Sequence, residues 1–352
     1  LAWECRGCCT VIDGYMFDFN HVAEAVNTRR SELLILEAPQ GMVRLLERLA
    51  GFLEACLGVR VAVRLEPSFG ACSASLDALD MFGGRAILVH IGHGEYVYPL
   101  CWRGSCSQGL PGGVYLVEAE YLGGDPEALS SKLLEALERH GWSRVAVGYS
   151  VQHRRLAAMI AGKLSSSGVV VRAASSVLGC YYYNLTKLRG AVDAYLVVAG
   201  GYFHALGLGL ALGGSKPVLR VDPYTSSVDD IGGLVSKTLA RRYWLMQQAS
   251  RASSLGIIVG LLPGQYRPWI ADYLSRLAEK RGIRHRVILA RYLSREYLDN
   301  LSPGDYDAFV VTSCPRLAIE DLGDYYKPVL TPAEARIVLS GGITSQDYTF
   351  PW

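Results

Sequence analysis

The stretch "LGIIVGLLPGQYRPWIADYLSRLAEKRGIRHRVILAR", residues 255–291, opens on an unbroken apolar run and turns at a proline and a glycine. Apolar residues then recur at helical spacing, Gly282 punctuates, and a second apolar run follows. Short continuous apolar runs between turn signals read as buried strands, and the 3.6-residue period between them reads as an amphipathic helix. Strand, helix, strand in that order is the signature of a right-handed βαβ unit and hence of a parallel sheet.

The pattern occurs twice earlier. "ELLILEAPQGMVRLLERLAGFLEACLGVRVAVRLE" at 32–66 and "RVAVGYSVQHRRLAAMIAGKLSSSGVVVRA" at 144–173 repeat it, and Gln40, Gln152 and Gln265 fall at the first strand-to-helix junction of each unit, 112 and 113 residues apart. Equal spacing of one polar residue at one structural place suggests a repeated domain. Each unit continues to another apolar strand, at "RAILVHIGHG" (85–94), "AYLVVAGG" (194–201) and "AFVVTSCP" (308–315). The expected fold is therefore α/β: three similar βαβ-type domains, each a small parallel sheet flanked by helices, packed around a central site. Their boundaries are placed at 1–122, 123–224 and 225–352. A chain of 352 residues exceeds what one growing core supports, which agrees with several domains.

Composition excludes some functions. With 35 basic and 33 acidic residues, the net charge of +2 offers no electrostatic footprint for a nucleic-acid backbone. "AYLVVAGGYFHALGLGLALGGS", residues 194–215, has the length of a membrane span, but its six glycines and its β-rich opening read as a strand followed by a helix from about Tyr202. Neither nucleic acid nor a membrane is expected as a partner. Nine cysteines, at 5, 8, 9, 56, 72, 101, 106, 180 and 314, read as thiols of a reducing, cytoplasmic compartment rather than as a disulfide framework. Cys56 lies on the apolar stripe of the first helix and reads as core, while Cys101 and Cys106 share a turn-rich loop and can pair or stay apart.

Three cysteines stand out by position. Cys72 in "FGAC" and Cys180 in "VLGC" follow the second strand of units one and two, and Cys314 in "SCPR" follows the third strand of unit three. Open α/β sheets place ligand sites beyond the carboxyl ends of their strands. A 4Fe-4S cluster takes four cysteines, so three converging thiolates would hold a cluster with one iron left open. A lone cysteine is also an ordinary small buried hydrophobe, and position in a repeat does not itself establish convergence. "CRGCC" at 5–9 has a metal-like spacing but no second pair nearby, and reads as structural or incidental.

Several blocks in the same order resemble one known family. They are "FDFNHVAEAVNTRRSELLILEAPQGM" (17–42), "FGAC" (69–72), "LVHIGHG" (88–94), "VQH" (151–153), "VLGC" (177–180), "GGYFHALGLGLALGGSKPVLRVDPY" (200–224), "GIIVGLLPGQ" (256–265), "SCPRLAIED" (313–321) and "KPVLTPAEA" (327–335). Together they resemble the archaeal 2-(3-amino-3-carboxypropyl)histidine synthases, which act in the first step of diphthamide biosynthesis. The resemblance implies a 4Fe-4S cluster on Cys72, Cys180 and Cys314. It implies S-adenosylmethionine as cosubstrate in an unusual radical reaction, and transfer of its 3-amino-3-carboxypropyl group to a histidine of translation elongation factor 2. A homodimer or a paralogous heterodimer and an electron donor follow as implied partners.

The sequence departs from the family pattern at Ser73, where an acidic residue often stands, at "PQG" (39–41), and in the aromatic run "YYYN" (181–184). On this reading Gln265 is the candidate for the amino-acid end of S-adenosylmethionine, helped by the amides of a helix start. Gly200 and Gly201 would let backbone approach the cosubstrate, His204 could bond it, and Arg316 could bind a carboxylate. Each has a plain alternative in turn geometry, local packing or a salt bridge, and His90 and His93 share that ambiguity. Two rivals remain open: a quinolinate synthase-like 4Fe-4S enzyme, and a non-catalytic scaffold subunit.

Overall fold

The structure, a computed structural model, describes residues 7–66, 68–94, 96–102, 105–107, 109–342 and 348–352. The chain divides into two compact units. The first runs to Gly123 and takes in Val151–Arg155 and Leu262–Gly264; the second comprises Gly124–Ser150, Leu156–Leu261 and Gln265–Trp352.

The first unit contains β1 (Cys9–Ile12), β2 (Tyr15–Asp18), α1 (Asn20–Arg29), β3 (Leu33–Glu37), α2 (Leu46–Leu57), β4 (Arg60–Val63), α3 (Leu76–Met81), β5 (Ala86–Ile91), β6 (Leu100–Trp102), β7 (Ser105–Ser107), β8 (Val114–Val117) and β9 (Ala119–Tyr121). Its main sheet is parallel, in the order β4-β3-β5-β8. The apolar stripe of α2 buries Leu46, Leu49, Ala50 and Leu53, at the spacing that covers one helix face.

The rest of the chain forms α4 (Pro126–His140), β10 (Arg144–Tyr149), α5 (Arg154–Ser166), β11 (Val170–Ser176), α6 (Tyr183–Thr186), β12 (Ala194–Val198), α7 (Phe203–Ala211), β13 (Val218–Asp222), β14 (Ser227–Asp230), α8 (Gly232–Ala249), β15 (Ser254–Gly260), α9 (Pro268–Lys280), β16 (Arg284–Ala290), α10 (Arg295–Asp299), β17 (Ala308–Val311), β18 (Val329–Leu330) and α11 (Pro332–Ser340). The second unit holds two sheets. One runs β11-β10-β12-β13-β14, with only β14 antiparallel, and the other runs β16-β15-β17-β18, all parallel.

The three main sheets share one strand order: second, first, third, fourth. They also share a register, since Leu33 pairs with Ala86, Val145 with Ala194 and Leu255 with Ala308. In the second unit the residue before the third strand repeats a further device. Asp193 accepts from the backbone N–H of Ser143 and Arg144 at 3.0 and 2.9 Å, and Asp307 from those of Ser253 and Ser254 at 2.8 and 3.0 Å. Each carboxylate thus satisfies two donors at a strand start, and both are held below the usual carboxylate range. For Asp193 the chief cause is its bond to the Arg144 side chain, and for Asp307 the bond to the Ser253 hydroxyl.

The apolar run 194–215 resolves into β12 and α7, with the helix starting just after Tyr202 as its sequence suggested. Among the described residues no helix is long and apolar enough to cross a membrane. The reading of the cysteines as a set of thiols is corrected. Cys8 is bonded to Cys56 and Cys101 to Cys106, and Cys9 also lies in a disulfide. Cys5 falls outside the described residues. Cys56 is exposed rather than core, because the buried stripe of α2 ends at Leu53.

Candidate functional site

Cys72 sits in a one-turn helix, Ala71–Ser73, beyond the carboxyl end of β4. Ser73 ties this turn to itself: its Oγ donates to Gly70 O at 2.9 Å and accepts from the Phe69 N–H at 2.8 Å. The Gly264 N–H donates to Cys72 O at 2.8 Å, and the Tyr96 hydroxyl donates to Gly264 O at 2.7 Å. A Cβ on residue 264 would lie 2.6 Å from Cys72 Cα, so only glycine permits this approach.

Beneath this turn lies a buried polar chain that the sequence reading did not identify. Glu37 ends β3 and is opposite His90 on β5. As a carboxylate it accepts from the Ser75 hydroxyl and, at 2.7 Å, from His90 Nδ1. His90 Nε2 and His93 Nδ1 share a further hydrogen bond, 2.9 Å apart, whose direction follows the tautomer. Glu37 and His90 are fully buried and Ser75 nearly so, with Arg64 3.7 Å from the same carboxylate. The relay ends near the cysteine: a Cβ built on Gly70 would lie 3.4 Å from Cys72 Sγ and 3.8 Å from His93 Nε2. His90 and His93 thus form a hydrogen-bonded pair anchored on Glu37, an arrangement that the sequence reading had not named.

In the second unit Cys180 follows β11 and Cys314 follows β17. Tyr182 brings the two together. Its phenol is pushed well above its ordinary value, by burial first and then by the charges of Cys180 and Cys314. The Tyr182 hydroxyl is buried and has no hydrogen-bond partner among the described residues. It stands where residue 207 has no side chain, since a Cβ there would lie 2.0 Å from it. Arg267 donates from Nη1 to Ser313 O at 2.8 Å, and the Trp352 indole donates to Cys180 O at 3.2 Å.

The remaining sequence candidates take definite places. Gln265 is buried and packs against Gly260 and near Ser313, but it does not open a helix. α9 begins at Pro268, which suits a first helical position because it has no N–H to leave unsatisfied. Gly200 lies against the Tyr224 ring, 2.6 Å from where its Cβ would stand, and Gly201 adopts φ +68°, a left-handed conformation natural to glycine. His204 lies in the first turn of α7 with Nδ1 buried and unpartnered, so local backbone does not satisfy that atom. Burial, and then the Arg316 charge, push its pKa down to about 4. Arg316 is exposed, pairs with Glu320 at 2.9 Å and lies 5.7 Å from the Phe203 ring.

Three further residues, Tyr182, Arg267 and Trp352, were missed. The aromatic run at 181–184 was the only sequence signal for any of them.

The donor set suits an iron–sulfur cluster. Among the described residues, Cys72, Cys180 and Cys314 stand outside disulfides, whereas Cys8, Cys9, Cys56, Cys101 and Cys106 are bonded. Each of the three is partly accessible rather than sealed in core. No three His, Cys, Asp or Glu among the described residues gather around a point as ligands of a single ion do. A 4Fe-4S cluster asks for a different arrangement, one thiolate on each of several irons.

Comparison with known proteins places this geometry. Residues 38–349 match the sequence profile of the diphthamide synthesis protein family. The chain belongs to that family. It is 30% identical over 315 residues to the 2-(3-amino-3-carboxypropyl)histidine synthase of Pyrococcus horikoshii, covering 87% of this chain and 85% of the relative. A fungal member, subunit 1 of the corresponding synthase of Gibberella zeae, is 24% identical over 95% of this chain and 72% of its own length. The crystal structure of Dph2 from P. horikoshii with a 4Fe-4S cluster superposes with a TM-score of 0.78 at 26% identity, covering 97% of this chain and 94% of that one. The mixed α/β fold with several parallel sheets is thus the fold of this diphthamide synthesis family.

Proposed function

We propose that the protein is a 2-(3-amino-3-carboxypropyl)histidine synthase, transferring the 3-amino-3-carboxypropyl group of S-adenosylmethionine to a histidine of translation elongation factor 2. This would be the first step of diphthamide biosynthesis. One observation carries the reading beyond family membership: the three cysteines that the repeat places after strand ends are those left outside disulfides among the described residues. On this reading the chain is a threefold repeat, 1–122, 123–224 and 225–352. Its common strand order and register support that plan, with one of Cys72, Cys180 and Cys314 from each repeat. Cys72, Cys180 and Cys314 would hold a 4Fe-4S cluster, which when bound would supply an iron for the cosubstrate and an electron for its sulfur–carbon bond.

The chain's own residues bind, orient and exclude water. In the net reaction a sulfur–carbon bond breaks and a carbon–carbon bond forms at the imidazole carbon between the two nitrogens. The hydrogen on that carbon leaves as a proton, and methylthioadenosine departs. Gln265, buried beside Ser313, is our candidate for the amino-acid end of the cosubstrate. The unpartnered Nδ1 of His204 is a second contact, with Arg316 and the backbone at Gly200 and Gly201 as further ones. Tyr182 and Phe203 supply apolar walls that keep water from a reactive fragment. The active form is a homodimer or a paralogous heterodimer, fed by a separate electron donor in the cytoplasm.

Anaerobically reconstituted protein, reduced and mixed with S-adenosylmethionine and purified elongation factor 2, should release methylthioadenosine and add mass to one histidine of the factor. Wild type should hold about four irons per chain, and each of Cys72→Ala, Cys180→Ala and Cys314→Ala should lose both iron and turnover. An iron-free, colourless wild type would instead mark a scaffold subunit. Iron without methylthioadenosine would point to small-molecule chemistry of the quinolinate synthase kind.

A further inference from the structure

Arg267 is buried, at 5% exposure, yet it lies on neither β15 nor β17 and fills no apolar layer. Its Nη1 donates to Ser313 O at 2.8 Å and lies 3.4 Å from Thr312 O, the two carbonyls that precede Cys314. Its guanidinium carbon lies 4.3 Å from the centroid of the Trp352 ring. The indole Nε1 of Trp352 then donates to Cys180 O at 3.2 Å. One continuous set of contacts therefore joins the peptide on which Cys180 sits to the peptides that lead into Cys314.

The chemistry of these contacts is that of a brace. Each hydrogen bond ends on a backbone carbonyl, so it fixes the peptide without engaging the sulfur. A guanidinium is planar, stacks on an indole and donates from a rigid fork at the same time; a lysine ammonium has neither plane nor fork. Trp352 is not needed to dock the terminal segment. Tyr348 already donates to Glu334 at 3.0 Å, and the Ala333 N–H to Pro351 O at 3.4 Å.

We propose that Arg267 and Trp352 are positioning residues that hold Cys180 and Cys314 at the separation two irons of one cluster require. This rests on the assignment of those cysteines as cluster ligands. Partners that orient metal ligands without touching the metal commonly change metal retention by about 10- to 100-fold when removed.

The test uses anaerobically reconstituted full-length protein and two mild variants, Arg267→Lys and Trp352→Phe, with Cys180→Ala and Cys314→Ala as references. Three quantities are read: the rate of iron loss to a chelator, the electron paramagnetic resonance spectrum of the reduced cluster, and the thermal midpoint of the iron-free protein. Arg267→Lys should lose iron about tenfold faster with a shifted spectrum. Trp352→Phe, which keeps an aromatic face, though a smaller one, and loses the indole N–H, should do so less strongly. Both iron-free variants should melt as wild type does. Wild-type retention and spectrum in both, beside iron-free cysteine variants, overturns the brace. So does a fall in the iron-free midpoint that accounts for the loss in both. If Cys180→Ala and Cys314→Ala keep their iron, the ligand assignment fails instead, a result distinct from failure of the brace.

Discussion

The bed under Cys72 and the bed under Cys180 and Cys314 are built from opposite materials. Under Cys72 a carboxylate, an imidazole and a hydroxyl are buried together with a second, half-buried imidazole beside them, and Glu37 and His90 are bonded to neighbours on both sides. Around Cys180 and Cys314 stand the aromatic rings of Tyr182 and Trp352, and two buried polar atoms, the Tyr182 hydroxyl and His204 Nδ1, have no hydrogen-bond partner among the described residues. Low dielectric makes a satisfied polar network rigid and costly to damage, and makes an unsatisfied polar atom a standing cost that a ligand can relieve. The first bed is therefore expected to resist change, and the second to be where binding is tuned.

The sharpest way to break that contrast is to remove the centre of the polar bed. Glu37→Ala strands His90 and Ser75 and removes one of the two carboxylates beside Arg64, whose bond to Glu66 at 3.1 Å remains. Breaking a buried ionic network in this way costs about 3–5 kcal/mol. Chemical denaturation of the iron-free protein should show a loss of that size. A change below about 1 kcal/mol would mean the relay is not the rigid element described.

Next in size is Gly264→Ala. Its Cβ would stand 2.6 Å from Cys72 Cα and 2.7 Å from the Tyr96 ring, a collision with backbone that no rotamer relieves. Overpacking of this kind costs about 1–3 kcal/mol. Because the displaced atom belongs to Cys72, iron content should fall as well as stability. Normal iron content in a destabilised variant would separate the turn from the ligand role.

The sequence disclosed these two regions unequally, for a physical reason. Periodicity is local, so the strand, helix, strand order behind each main sheet was legible. The relay depends on Glu37 standing opposite His90 across paired strands, and the brace on Arg267 meeting the far end of the chain. Such contacts exist only once register and packing are set. The Cys8–Cys56 bond is of the same kind, since spacing along a chain says little about which sulfurs meet. The start of α9 was misplaced by three residues because Gln265 was taken as the junction, whereas the proline at 268 is the stronger signal.

The aromatic bed should show itself through pH. Burial, and then the Arg316 charge, hold folded His204 at about 4, against about 6.5 for an ordinary histidine. Between those values the unfolded chain binds a proton that the folded one does not, so stability is full above about pH 6.5 and falls as the pH drops toward 4. Allowing for partial solvent access, about 1–2 kcal/mol should disappear over that window. His204→Phe should flatten that part of the stability curve in the iron-free protein. An unchanged slope would assign the acid loss to other groups.

Tyr182→Phe gives the smallest effect and the most informative sign. Removing a satisfied buried hydroxyl costs about 1 kcal/mol, but this hydroxyl has no partner, so its removal relieves a desolvation cost at no loss of bonding. The iron-free variant should be as stable as wild type or up to about 1 kcal/mol more stable. If the hydroxyl finds its partner only when cluster and cosubstrate are bound, turnover should fall in that same variant. Stability and activity would then move in opposite directions at one atom. A parallel loss of both would show that the hydroxyl is already bonded in the resting protein, and the contrast between the two beds would lose its basis.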